Sequence, residues 1–211
     1  MVASRLSDIE LLRIEIDTLW VRDEQGRLVR AGGLAGVPAP HLVIACATGG
    51  LLVAVGERVP ARLAEEMKAL VARSELPRDP ATRPPVLSRC QELLADSLGP
   101  LEVTSGPSYV AESMPPLGRT VEIRTARGQG AQPLPLPPDV AGWTEEEWRL
   151  LVSGALGPWA VALAGGQIVS ICFCARLTGE AAEAGVWTHP EFRGRQYAPA
   201  VTYAWAQQML T

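Results

Sequence analysis

The stretch "RGQGAQPLPLPP", from Arg127 to Pro138, most restricts what this chain can become. Proline fixes φ and offers no backbone N–H, and glycine is costly to order, so no helix or strand ladder is expected to run through it. Pro115, Pro116 and Gly118 make a second break just before it. The chain therefore reads as two compact units, residues 1–114 and 115–211, with a long loop near residue 130. With 211 residues in all, each unit is long enough to bury a core. The proline run reads as a solvated loop, with an SH3 ligand as the lesser alternative.

Composition narrows the function classes. At 47% apolar and 20% charged residues the chain reads as globular rather than disordered. A net charge of −4 gives no basic footprint for nucleic acid. The opening "MVASRLSDIELLRIEIDTLW" is interrupted by acids and lacks a signal peptide's apolar core. No run approaches the roughly 18 uncharged apolar residues of a membrane span, so a cytoplasmic protein is expected. Cys46, Cys90, Cys172 and Cys174 fall in no zinc spacing. They read as reduced core residues, and no metal is expected.

In the first half, Ser7 or Asp8 can cap a helix with Ile9, Leu12, Ile16 and Leu19 on one face. Asp23 to Gly26 reads as a turn, and Leu42 to Ala47 and Leu51 to Val55 read as a hairpin around Thr48-Gly49-Gly50. Pro60 opens a helix with Leu63, Met67, Leu70 and Val71 inward, and a third helix spans about 85–98. "LEVTSGPSYVAE", from Leu101, reads as a strand. The half is α+β and carries no evident chemistry.

In the second half, Thr144 and Glu147 form a capping box, and "WAVALAGGQIVSICFCARLT" reads as two strands turning at Gly165-Gly166. A third strand is expected at 184–188, then a helix at 198–210 with Val201, Ala204, Trp205 and Met209 inward. Between them lies "HPEFRGRQYAP". The first N–H groups of a helix have no internal partner and sit at the positive end of its dipole. Arg193 and Arg195 add two guanidinium forks there, and Gly194 lets a ligand approach the backbone. These are the components of a phosphate or pyrophosphate cradle. A solvated turn shaped by its glycine is the other reading.

The run "EAGVWTHPEFRGRQYAPAVTYAWA" resembles motif A of the GNAT superfamily of N-acetyltransferases, with Arg193 opening the pattern and Ala198 closing it. The likeness covers about residues 119–211, and the first half more faintly resembles the leading domain of some bacterial members. The resemblance implies an α+β fold whose second unit is a mixed β-sheet with flanking helices. It further implies that residues 193–198 hold the pyrophosphate of acetyl-CoA, with Arg193, Gly194, Arg195, Gln196, Tyr197 and Ala198 as binding residues. By the same resemblance, the strand backbone at Val186, Trp187 and Thr188 would hold the pantetheine arm and polarise the acetyl carbonyl.

Two departures stand out. Gln196 replaces the central glycine, so its side chain is expected to crowd a pyrophosphate, and a glycine there would cost about 1 kcal/mol of helix-start stability. The sequence also ends at Thr211, where complete members continue with another strand, a helix often bearing a tyrosine general acid, and a final strand pair. A free strand edge at 184–188, an uncovered helix face, a homodimer covering both and little acetyl transfer are the corresponding expectations.

Amide formation from a thioester needs a base for the amine. Glu183 stands where many members carry a catalytic glutamate, and it also reads as a charged residue entering a strand. His189 is either a base or a structural residue beside Pro190. Tyr197 and Tyr203 lie on the motif A helix, away from where the family's acid comes from. The reading is a GNAT-type N-acetyltransferase working by direct transfer from acetyl-CoA to an unidentified amine. The alternative is a non-catalytic acyl-CoA-binding or regulatory protein, and a weaker third is a protein-interaction module.

Overall fold

A computed structural model describes residues 6–33, 36–79, 82–108, 122–126, 134 and 142–209. The chain divides into two compact units, Met1–Val110 and Ala111–Thr211. The breaks at 115–118 and 127–133 and the prolines at 135–138 lie outside the described residues. The fold is α+β, with helices packed on antiparallel strands.

The first unit opens with helix α1 (Asp8–Leu19), capped by Ser7. The Ser7 backbone N–H donates to the Glu10 carboxylate at 2.7 Å, and Ser7 Oγ accepts from the Glu10 N–H at 3.4 Å. Strands β1 (Trp20–Arg22) and β2 (Leu28–Ala31) pair around a turn in which Asp23 Oδ1 accepts from the N–H groups of Gln25 and Arg27. Strands β3 (Leu42–Ala47) and β4 (Gly50–Val55) form an unbroken antiparallel ladder. Helices α2 (Ala61–Ala72) and α3 (Val86–Leu98) follow.

Period-two alternation explains why the β3–β4 hairpin is apolar throughout. Leu42, Ile44, Val53 and Val55 pack with Met67, Val71, Cys90 and Leu94 of α2 and α3. Val43, Ala45, Leu52 and Ala54 pack with Ile16 of α1 and Leu28 of β2. The strand expected from Leu101 does not form over residues 101–108. Pro107 removes a ladder N–H, and Gly106 before it has no side chain to pack.

The second unit has strands β5 (Glu122–Thr125), β6 (Trp159–Ala164), β7 (Gln167–Leu177) and β8 (Ala182–Thr188), with helix α4 (Glu145–Val152) between β5 and β6. A short 3-10 turn (Pro190–Phe192) then leads into helix α5 (Tyr197–Met209). The sheet order is β5-β6-β7-β8, and every pairing in it is antiparallel. The mixed sheet implied by the resemblance is thus not what the described strands form. Short connections such as Gly165-Gly166 can join only antiparallel neighbours, and both glycines have positive φ, 58° and 80°, as a tight hairpin requires.

One face of this sheet, bearing Val161, Ile168 and Ile171, packs with Trp148 and Leu151 of α4. The opposite face, bearing Ala160, Ala162 and Cys172, packs with Val201 and Trp205 of α5. Val201 is fully buried and Trp205 is 8% exposed, so this helix face is covered by its own sheet rather than left open as expected. Two boundaries also shift, since β8 begins at Ala182 and α5 at Tyr197.

Candidate functional site

The junction from β8 to α5 is assembled around an irregularity in β7. Ala162 pairs with Ser170 and Leu163 with Ile168, which leaves Val169 as an extra residue, a β-bulge. The Val169 carbonyl accepts the His189 N–H at 2.9 Å, just where the chain leaves β8. Beside it, the fully buried Ser170 donates its one hydroxyl proton to the Trp187 carbonyl at 2.9 Å. Thr188 Oγ1, 2.8 Å away, must therefore donate to Ser170 Oγ. The last two residues of β8 are held from beneath, which fixes the direction in which the following loop departs.

His189 caps the 3-10 turn, with Nδ1 accepting the Glu191 N–H at 3.3 Å and the ring edge-on to Trp187 and Phe192. Arg193 Nε donates to the Thr188 carbonyl at 3.3 Å, which leaves its terminal nitrogens toward solvent. The Arg195 guanidinium lies over the Phe192 ring, 5.2 Å from its centre. Such stacking holds the cation without consuming its N–H donors.

Backbone conformation then presents the amides. Gly194 has φ +72°, and a Cβ built there would meet nothing within 4 Å, so the position needs glycine for its dihedral rather than for space. Gln196 has φ +64°, the single positive value at a non-glycine among the described residues. The first helical bond of α5 runs from the Ala200 N–H to the Gln196 carbonyl at 3.3 Å. Among the described residues, the N–H groups of Gln196, Tyr197 and Ala198 have no acceptor, and Pro199 brings none to satisfy. Three amides and two guanidiniums thus meet where the exposed loop enters α5.

The expected cost of a glycine at position 196 is accordingly reversed. The backbone there is already in the region that glycine favours, and the strain falls on glutamine.

The remaining candidates divide by location. On β8, Trp187 turns to the α4 side, with its ring centre 6.0 Å from that of Trp143, whereas Val186 is 45% exposed. Glu183 lies five residues before Thr188, about 17 Å along an extended strand. Its carboxylate is ion-paired with Arg176, its cross-strand partner in β7. The cradle and Glu183 therefore sit at opposite ends of β8, and a ligand using both must lie along that strand. Tyr197 packs near Phe192 at the start of α5, while Tyr203 lies further along the helix. Burial pushes the Cys172 thiol up to about 12 and the Cys174 thiol upward, so both are neutral packing groups. Among the described residues no three His, Cys, Asp or Glu side chains converge as metal ligands.

Sequence reasoning missed Ser170, Arg176 and Phe192, each of which acts on a candidate residue. Ser170 alone left a trace, as a hydroxyl between Val169 and Ile171 in an otherwise apolar strand. No protein-family model, curated protein or solved structure matches this chain. Among the described residues no helix is long and apolar enough to cross a membrane.

Proposed function

We propose that the second unit binds the pyrophosphate of acetyl-CoA at residues 193–198 and serves a GNAT-type N-acetyltransferase acting on an amine. The observation that carries this reading is the coincidence of three amides without acceptors, the N-terminus of a 13-residue helix and two exposed guanidiniums on one loop. The donors fit the group, since a pyrophosphate accepts many hydrogen bonds from planar forks and backbone N–H groups. The open space around Gly194 leaves room for it. Bound acetyl-CoA would supply an activated acyl thioester. The strand backbone at Val186 to Thr188 would orient its arm, and Glu183 would take the amine proton once Arg176 releases its carboxylate. Four free thiols suit a cytoplasmic setting.

The Arg176–Glu183 pair favours a second reading, an acyl-CoA-binding protein that transfers nothing, because the candidate base is already engaged by a cation. Incubation with acetyl-CoA and a panel of amines, followed by mass spectrometry, separates the two. Acetylated amine lost in Arg193→Ala supports the transferase. CoA binding without product supports the binding protein, and absence of both overturns the cradle.

A further inference from the structure

We propose that β8 is the docking strand for a second copy of this chain, paired antiparallel about a two-fold axis at Gly185. β8 is an edge of the four-stranded sheet, and no described strand pairs with its outer side. Edge strands are ordinarily blunted by proline, lysine, a bulge toward solvent or short length. β8 has seven residues, contains no proline or lysine, and presents Val186 to solvent. Its one charge, Glu183, is neutralised by Arg176 from β7, so two strands can approach without opposing bare carboxylates.

The strand is complementary to itself. Gly185 is the midpoint of residues 182–188, so a two-fold axis there pairs every residue of one copy with a residue of the other. Ala184 then faces Val186 of the second copy, which sets the exposed large side chain beside a small one on both sides of the axis. Glu183 faces Trp187 of the second copy rather than a second Glu183. At the axis the two glycine backbones meet without Cβ atoms, while the Phe173 ring already covers the Gly185 position, 2.5 Å from where a Cβ would stand. On the Val186 face α5 packs mostly over β7 and β6, with a smaller contact on β8.

Sedimentation velocity across micromolar concentrations tests the proposal on the intact chain. The wild type should show a concentration-dependent dimer, and Val186→Lys should remain monomeric, with the melting temperature that the wild type has at concentrations low enough to dissociate it. A wild type that stays monomeric, or a dimer that survives Val186→Lys, overturns it. Should Val186→Lys impair folding, the double variant Ala184→Cys/Val186→Cys decides, built on Cys172→Ala/Cys174→Ala so that no thiol of β7 faces the new cysteines. A covalent dimer on oxidation supports the Gly185-centred register, and a monomer under the same oxidation refutes it.

Discussion

Replacing Gln196 by glycine should stabilise the second unit, although within a helix glycine is the poorest residue apart from proline. An L-residue in the left-handed region costs about 1–2 kcal/mol, and Gln196 sits there with φ +64°. Glycine removes that cost and gives back about 0.5–1 kcal/mol through the freer unfolded chain. The net gain is about 0.5–1 kcal/mol, a rise of roughly 2–8 °C in Tm for a domain of about 100 residues. Thermal unfolding followed by tryptophan fluorescence reads this unit selectively, because Trp143, Trp148, Trp159, Trp187 and Trp205 all belong to it and only Trp20 lies elsewhere. Gln196→Ala is the control, since it keeps a Cβ and so keeps the strain. If the glycine variant melts below the wild type, or both variants melt alike, the strained conformation is not a feature of the folded protein. The same glycine variant should bind CoA more tightly if the glutamine crowds the phosphates. Weaker binding would instead identify the glutamine amide as a ligand.

Other expectations follow from single contacts. Arg27 Nη2 donates to the carbonyls of Gly56, Glu57 and Val59, so Arg27→Met should destabilise the first unit by about 2–3 kcal/mol, measured by urea unfolding. Hydrogen bonds from the Thr144 backbone N–H and then its hydroxyl hold the Glu147 carboxyl below the usual range. A depressed carboxyl stabilises the fold above its unfolded value, near pH 4.5, and loses that contribution as pH falls through the folded value. Glu147→Gln should therefore show a smaller loss of Tm than the wild type between pH 5 and about 3. Because the proposed arm site and the proposed dimer contact share the outer edge of β8, saturating CoA should shift dimer to monomer in sedimentation. CoA that strengthens association would contradict the shared edge.

The sequence made the regular parts of this fold legible wherever a period and a stop signal coincided. Ser7 as a candidate cap and Thr144 with Glu147 as a capping box announced two helices, and both caps are formed, the first as a box with Glu10. Gly165-Gly166 placed a hairpin between two apolar runs, and Thr48-Gly49-Gly50 between two apolar segments placed another. Strand β5 was missed because four residues, Glu122 to Thr125, give too short an alternation beside the proline-rich stretch. The bulge at Val169 carried no warning, since an extra valine in an apolar strand changes neither composition nor propensity. At the site, the arginines and glycine were visible by type. The left-handed Gln196 and the Arg176–Glu183 pair were not, because each depends on a backbone dihedral or strand register that residue spacing does not encode.

Titration calorimetry of CoA, with pantetheine as the ligand lacking pyrophosphate, tests the cradle most directly in the wild type, Arg193→Ala and Arg195→Ala. Each guanidinium lost removes charge-assisted hydrogen bonds of about 1.5–3 kcal/mol, so each variant should bind CoA at least about tenfold more weakly. Pantetheine affinity should be the same in all three proteins. CoA affinity unchanged in both variants, or reduced in parallel with pantetheine, would contradict a pyrophosphate site at residues 193–198.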